Sequence, residues 1–320
     1  MRESADDVEV RLAVAEDEDA IARLHQAQEP DAQPLIINSA EWEGESASSP
    51  RGRFVAATDG DLVGTVEWYP AWWTGEDSIY MVMVRVDESH GRRGIGNRLF
   101  ERMRSGLLAC GATRLLAWIR EDSVAGRSFA ARLGFEEMGE VMQDYRLHLP
   151  EADTSQYAAR EQRLASAGIR IAALADLPRQ EESFLRALQR LWADSGDTPP
   201  DPERLRESFP TWKKQVLDDV GLSPQTHWVA LEGERPVGMT FLKRLSEDGF
   251  ENDYTGVAST HRGRGIGAAL KLRSILWGQQ QGARWFYTSS EVDREAILHL
   301  NTVLGYVAGA KRLLIALDLR

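Results

Sequence analysis

Two short runs of this chain have the residue types for binding an anion. The first is Arg262-Gly263-Arg264-Gly265-Ile266-Gly267, which follows an apolar stretch and opens an amphipathic one. Small residues let a backbone approach a ligand closely. A helix starting there offers unpaired N–H groups and the positive end of its dipole. A diphosphate is the natural occupant of such a place, and Arg262 and Arg264 add charge. The second run, HGRRGIGNRL at 90–99, repeats HRGRGIGAAL at 261–270, 171 positions earlier, and supplies Gly91, Arg92, Arg93, Gly94 and Gly96. Just before the later run lies FENDYTGV (250–257), whose Glu251 and Asp253 are carboxylates able to accept a proton. The earlier run is preceded by IYMVMVRV (79–86), which has no carboxylate. Glu-Asn-Asp reads equally as a polar turn entering a strand.

The elements around the two runs repeat as well. FVAATDGDLVGTVEWYP (54–70) matches WVALEGERPVGMTFLKR (228–244), each two strands joined by a turn. Residues 114–135 match 284–306, each a strand, a loop, and a helix ending Leu-Gly-aromatic. Solenoid repeats run about 20–50 residues, so this longer spacing marks domain duplication. Each half reads as strand, one or two helices, a β-meander, the glycine run with its helix, strand, helix and final strand. The fold class is mixed α/β, with a predominantly antiparallel central sheet flanked by helices, in two tandem domains. Helical spacing puts Ile95, Leu99, Met103 and Leu107 on one stripe, and Ile266 and Leu270 begin the same stripe in the second copy. Expected boundaries are 1–150, a polar linker at 151–167 with a helical look, and 168–320. Polar loops are expected at 44–53 and 193–205.

Composition narrows the partners. The net charge is −12, and no basic run exists outside the two Arg-Gly phrases, which excludes nucleic acid as the main ligand. The acidic balance leaves room for a cationic small molecule. The one cysteine, Cys110, has no internal partner, which points to a reducing compartment and a cytoplasmic protein. No run of 18 apolar residues and no leader-like start is present, so no membrane partner is expected. The six histidines are scattered without ligand spacing, so no metal is expected. A P-loop is absent. Gly263-x-Gly265-x-x-Ala268 matches the loose dinucleotide pattern, but a meander precedes it where a first strand-to-helix turn should stand.

Taken together, the strand with its Arg-x-x-Gly-x-Gly phrase and the later Leu-Gly-aromatic helix end resemble a tandem member of the GNAT (Gcn5-related N-acetyltransferase) superfamily. The resemblance covers nearly the whole chain, twice. It implies acetyl-CoA as co-substrate, with its pyrophosphate held by Arg262, Gly263, Arg264, Gly265, Ile266 and Gly267. It places Val257 on the pantetheine arm and Asn301 on the pantetheine or adenosine side. The matching first-half positions are Val86, Arg92, Arg93, Gly94 and Gly96, with Gly91 where the family has its first Arg or Gln. Many members use a tyrosine as general acid five residues before the final aromatic; here those positions are Ala130 and Asn301.

The implied function is an N-acetyltransferase acting on the primary amine of a small molecule by direct attack, with the C-terminal half catalytic and the N-terminal half a degenerate copy. A lysine-like amine has a pKa near 10.4, so removing its proton at pH 7 costs roughly 4–5 kcal/mol. Glu251 is the expected general base, with Asp253 second. The constant offset matches them with Tyr80 and Val82, and strand alternation puts 251, 253, 255 and 257 on one face. Tyr254 and Tyr287 are candidate acids or core residues. Trp68, Tyr69, Trp72 and Trp73 read as core or an amine pocket, and Trp192, Phe209 and Trp212 as acceptor-pocket candidates, drawing on 30–50 and 193–225. A monomer or homodimer is expected. The alternatives are a non-catalytic acyl-CoA-binding or sensing protein, and an acyltransferase with another donor or a protein acceptor.

Overall fold

The computed structural model describes residues 8–29, 51–195, 208–218 and 222–319. The expected pocket segment 30–50 and most of the loop at 193–205 lie outside the described residues, as does the side chain of Trp72. The chain forms two compact units. The first comprises residues 1–142 together with 310–320, and the second residues 143–309.

In the first unit the strands are β1 (Glu9–Leu12), β2 (Gly52–Thr58), β3 (Asp61–Pro70), β4 (Ile79–Val86) and β5 (Arg114–Arg120). The helices are α1 (Glu18–Gln28), α2 (Ile95–Ala109) and α3 (Val124–Leu133). Strand β6 (Glu136–His148) follows and runs on into the second unit. There come α4 (Tyr157–Ser166), β7 (Ile169–Ala173), α5 (Glu182–Asp194), α6 (Phe209–Val216), β8 (His227–Glu232), β9 (Arg235–Arg244) and β10 (Gly249–Val257). They are followed by α7 (Ile266–Gln280), β11 (Trp285–Glu291), α8 (Glu295–Val303) and β12 (Val307–Asp318).

The first unit's sheet has the order β1-β2-β3-β4-β5-β12, and the second unit's β7-β8-β9-β10-β11-β6. In each, a meander of antiparallel strands ends in one parallel pair, β4 with β5 and β10 with β11. A parallel neighbour requires a crossover connection, and α2 and α7 supply it. Asp59 and Gly60 both take positive φ between β2 and β3, the two-residue hairpin turn that Asp-Gly favours. The predicted stripe of α2 is buried at Ile95, Leu99, Met103 and Leu107, against Phe54, Val66 and Trp68 of the meander. Trp68 is therefore core, while Trp73 is exposed.

The last strand of each sheet departs from the expected boundaries. Reading 1–150 and 168–320 as domains leaves β12 with the second half, but from Ala310 onward it belongs to the first unit. It pairs with β5 over seven residues, from Arg312 with Arg120 to Asp318 with Arg114. From Gln143 onward β6 belongs to the second unit, where Tyr145 and Leu147 enter the core. An alternating strand carries no label for the sheet it completes, so the repeat pattern could not reveal the exchange. The expected linker contains α4, which is docked in the second unit through Tyr157 and Leu164.

Leu314 of β12 packs with Ala71, Ile79, Met81 and Leu116. Leu314→Ala should therefore cost the first unit about 3 kcal/mol, the usual range for a buried leucine. Hydrogen exchange should quicken in β4 and β5 and stay unchanged in β9 and β10. The opposite pattern would contradict the exchange.

Candidate active site

The parallel ladder of the second unit is short. Gly249 pairs with Trp285, Phe250 with Phe286 and Glu251 with Tyr287, and no further pair of β10 with β11 occurs among the described residues. In the first unit the ladder likewise runs only from Ile79 with Arg114 to Met81 with Leu116. The difference between the units lies on the other side of β10. Its pairing with β9 carries a bulge between Asn252 and Tyr254, whereas β4 pairs with β3 without interruption. Asp253 is thus one extra residue. Counted through the ladders, Glu251 stands where the first unit has Met81, and Asn252 where it has Val82. The constant offset that matched Glu251 with Tyr80 fails at the bulge.

The bulge also overturns the shared face expected for residues 251, 253, 255 and 257. Thr255 and Val257 lie beneath Gly267 on the α7 side. Phe250 is on that side too, edge-on to Trp277 with centroids 5.3 Å apart. Alternation from Phe250 then sends Glu251 to the opposite face, the one Tyr254 presents to α5. Asp253 is exposed at the bulge, and Glu251 is half-buried. Asn252 pins the distortion. Its Nδ2 donates to Thr240 Oγ1 at 2.9 Å, and its Oδ1 accepts from Thr255 Oγ1 at 3.1 Å. Its carbonyl accepts from Thr288 Oγ1 at 2.9 Å. Glu251 faces Lys243 across the β9 ladder, a pairing of opposite charges.

On the α5 side the second unit builds an aromatic wall. Tyr254 packs on Trp192 with centroids 4.2 Å apart and on Phe241 at 5.5 Å, and Phe241 stacks on His227 at 4.9 Å. The Tyr254 hydroxyl bonds Ser195 Oγ. Gly256 makes this possible, because a Cβ there would come within 2.6 Å of Ser195 Oγ. His227 is a packing residue whose nitrogens face the carbonyls of Ser223 and Val216, and burial pushes its pKa down. Phe209 and Trp212 stack on each other on α6, with Trp212 fully buried.

The same face of the first unit is closed by charge. The ladder counterparts of His227, Phe241 and Gly256 are Arg53, Glu67 and Arg85. Arg53 Nη2 lies 3.0 Å from Glu67 Oε2, each side chain 3% exposed. Arg85 stands 3.9 Å from both Glu67 and Glu29, and Arg312 also pairs with Glu29. Burial alone would raise the Glu29 carboxyl, but Arg312 and Arg85 outweigh it and hold it below the ordinary value. Opening such a network would strand buried charge, at roughly 3–5 kcal/mol for each broken pair.

At the glycine runs the two units share a backbone. Gly265 caps α7 at φ 81° and Gly94 caps α2 at φ 80°, a left-handed conformation suited to glycine. The preceding residues differ in order. Arg262 and Gly263 have φ −61° and 75°, while Gly91 and Arg92 have −60° and 60°. The first unit therefore puts an arginine in the left-handed position, at a cost of roughly 1–2 kcal/mol. Arg262 Nε approaches the Val257 carbonyl at 3.5 Å. Arg264 lies 3.6 Å from Glu232, which also meets His261 at 3.3 Å. Arg93 lies 3.5 Å from the Ser89 carbonyl. Above Gly96 the space is narrow, since a Cβ would lie 3.2 Å from Phe129, whereas Leu300 leaves 3.9 Å above Gly267.

Sequence reasoning missed one cation. Arg160 of α4 brings Nη1 to 3.9 Å from a Cβ position on Gly265, while its Nη2 donates to Gln156 at 3.0 Å. It lies far from the glycine run, on a stretch read as linker, so no spacing could flag it. Arg160, Arg262 and Arg264 thus gather near the positive end of a 15-residue helix. That arrangement favours an anion at the helix start.

Asn301 is fully buried, and its Oδ1 accepts from Lys271 Nζ at 2.6 Å. Lys271 Nζ lies 4.8 Å from the centre of the Tyr306 ring. Burial brings the Lys271 pKa down to about 7. Reading α7 as an apolar stripe hid this lysine. Among the described residues no group of three or more His, Cys, Asp or Glu is placed to hold a metal, and no helix is long and apolar enough to cross a membrane.

Residues 15–135 and 185–306 each match the sequence model of the Acetyltransferase (GNAT) family, together more than half of the chain. The chain belongs to this family and is an acetyltransferase with two GNAT domains in tandem. A GCN5-related N-acetyltransferase from Sphaerobacter thermophilus is similar at 17% identity and TM-score 0.71, covering 98% of this chain and 96% of that one. A tandem GNAT protein from the clavulanic acid biosynthesis pathway is similar at 16% identity and TM-score 0.68, covering 97% and 98%. At these identities the likeness is one of fold. No curated protein matches the sequence.

The buried lysine gives a pH-dependent stability. Its folded pKa is about 7, against an ordinary value of 10.5. Well below pH 7 both states are charged and the folded state bears the full penalty, about 5 kcal/mol; at pH 7 the folded lysine is half deprotonated and the penalty begins to fall. As pH rises from 7 toward 10.5 the folded state sheds its proton first and the penalty fades. Lys271→Met should therefore be the more stable protein at pH 7, with its advantage shrinking steadily to pH 10 in thermal melts. A constant difference across that range would contradict the burial.

Proposed function

We propose that the second unit transfers an acetyl group from acetyl-CoA to the primary amine of a small molecule, and that the first unit is a structural copy. The observation that carries this is the contrast on one face of two equivalent sheets: an aromatic wall of Trp192, Phe241 and Tyr254 against a plug of Arg53, Glu67, Arg85 and Glu29. A cationic amine is attracted by ring faces, and a buried ion-pair plug offers it none.

Acetyl-CoA supplies an acyl thioester. Arg160, Arg262, Arg264 and the backbone around Gly263, Gly265, Ile266 and Gly267 would hold its pyrophosphate, and Val257 its pantetheine arm. In the first unit Arg92, Arg93, Gly94, Gly96 and Val86 hold the corresponding positions, with the glycine and arginine order reversed. Glu251 would take the ammonium proton, directly or through water, from an amine on the α5 face. Asp253, exposed at the bulge, is the second candidate. Tyr254, bonded to Ser195, is the proposed acid on the same face as Glu251. A thiolate with a pKa near 8.5 needs little help in leaving. With one cysteine, Cys110, the sequence allows no disulfide within the chain, which supports a reducing, cytoplasmic setting.

Glu251→Gln should lower kcat/KM for an accepted amine by about 100-fold near pH 7, the usual worth of a general base. Acetyl-CoA affinity should not change, and the loss should shrink at high pH, where the amine deprotonates unaided. CoA release measured across pH 6–10 checks this. Unaltered turnover at every pH would remove Glu251 from the role.

A further inference from the structure

The short turn Ser259–His261 leads straight into the glycine run of the second unit. A helical turn begins with bare N–H groups that need an acceptor. The first unit supplies one locally. Asp87, just before the turn Glu88–His90, accepts from Ser89 N at 2.8 Å. The second unit has Ala258 at that position, on nearly the same backbone, φ −47° and ψ 136° against −51° and 134°. An alanine side chain accepts nothing, and the acceptor comes instead from 65 residues away. Asp194 Oδ2 accepts from Ser259 N at 3.0 Å, and Asp194 Oδ1 accepts from Ser259 Oγ at 2.9 Å.

Asp194 is the last residue of α5. A carboxylate there meets the negative end of the helix dipole, which is locally unfavourable. A local rule broken without local gain points to a contact made elsewhere. The next residue makes a second such contact. Ser195 Oγ donates to the Trp192 carbonyl at 3.1 Å and is bonded to the Tyr254 hydroxyl. The end of α5 therefore grips β10 at Tyr254 and the turn at Ser259. Gly256 and Val257 lie between the two grips, and Gly256 has no Cβ to push Ser195 away. One helix end, carrying Trp192 of the aromatic wall, thus brackets the strand segment proposed for the pantetheine arm. In the first unit Arg85 takes the place of Gly256 and the turn caps itself, so the fold does not demand this link.

We propose that Asp194 is a positioning residue that couples the two ligand sites of the second unit. Donor held at the glycine run steadies the Ser259 turn, and Asp194 passes that order to the end of α5, and so to Trp192 and Tyr254 on the amine face. The coupling needs no displacement, only less local opening on both sides of one link. This rests on the second unit being the one that binds acetyl-CoA.

Hydrogen exchange on the full chain, with and without saturating acetyl-CoA, tests it, with calorimetry for affinity and thermal melts for folding. In the parent, acetyl-CoA should slow exchange at 259–270 and also in the last two turns of α5. A link transmits no more than its own worth, so the slowing in α5 should reach at most about fivefold, the worth of a capping bond. In Asp194→Ala the slowing at 259–270 should remain and that in α5 should vanish. Asp194→Ala combined with Ala258→Asp gives the second unit the local cap of the first and conserves charge. It should bind acetyl-CoA within about twofold of the parent, while α5 still fails to respond.

If Asp194 only shaped the turn, the local cap would restore the α5 response as well. An α5 response that persists in the folded double variant would therefore overturn the proposal. So would a parent in which acetyl-CoA protects 259–270 and leaves α5 unchanged. In both cases the donor site stands. If the parent binds no acetyl-CoA, the donor reading falls, and this proposal falls with it.

Discussion

A strand with one residue more than its partner must bend and re-aim its side chains. In β10 that residue is Asp253, and the bulge lies beside the last pairs of the parallel ladder with β11. Glu251 before it and Tyr254 after it lie on one face, while Thr255 and Val257 lie under the helix that follows the glycine run. Met81, the ladder counterpart of Glu251 in the unbulged β4, already lies on the face away from α2, so the extra residue keeps Glu251 on the equivalent face rather than moving it there. The distortion is held by Asn252, whose amide, oxygen and carbonyl are bonded to three threonines on three strands. The insertion and its pin thus distort the strand between the candidate base and the candidate acid while both keep one face.

The duplication provides an internal comparison. Both units share the sheet, the crossover helix and the left-handed glycine cap, so differences at equivalent positions are not dictated by the fold. Three such differences stand out. The first unit has no bulge, it plugs the face that the second lines with rings, and it puts Arg92 where the second has Gly263. Each is a change from an arrangement suited to ligands toward one suited to packing, except Arg92, which carries strain without a visible return. Nothing in the structure explains that residue order.

Much of this was legible in the residues. The meander, the stripe of α2 and the glycine caps follow from local rules, because period, turn chemistry and positive φ are properties of a few consecutive residues. What escaped depends on contacts between distant segments. A constant 171-residue offset assumes that no strand gains a residue, and Asp253 breaks it. Arg160 reaches Gly265 from a helix that looked like a linker. Lys271 sits among apolar neighbours on α7, and its partner Asn301 is 30 residues away. The exchange of β6 and β12 was invisible because both read as generic final strands.

One unit of the two, the second, is proposed to bind acetyl-CoA. Calorimetric titration of acetyl-CoA into the intact chain, Gly265→Glu and Gly94→Glu tests it most directly, with folding checked by thermal melts. A glutamate at either cap puts negative charge where a pyrophosphate would sit. One site per chain is expected, abolished by Gly265→Glu and untouched by Gly94→Glu. Two sites, each removed by one of the changes, would contradict it.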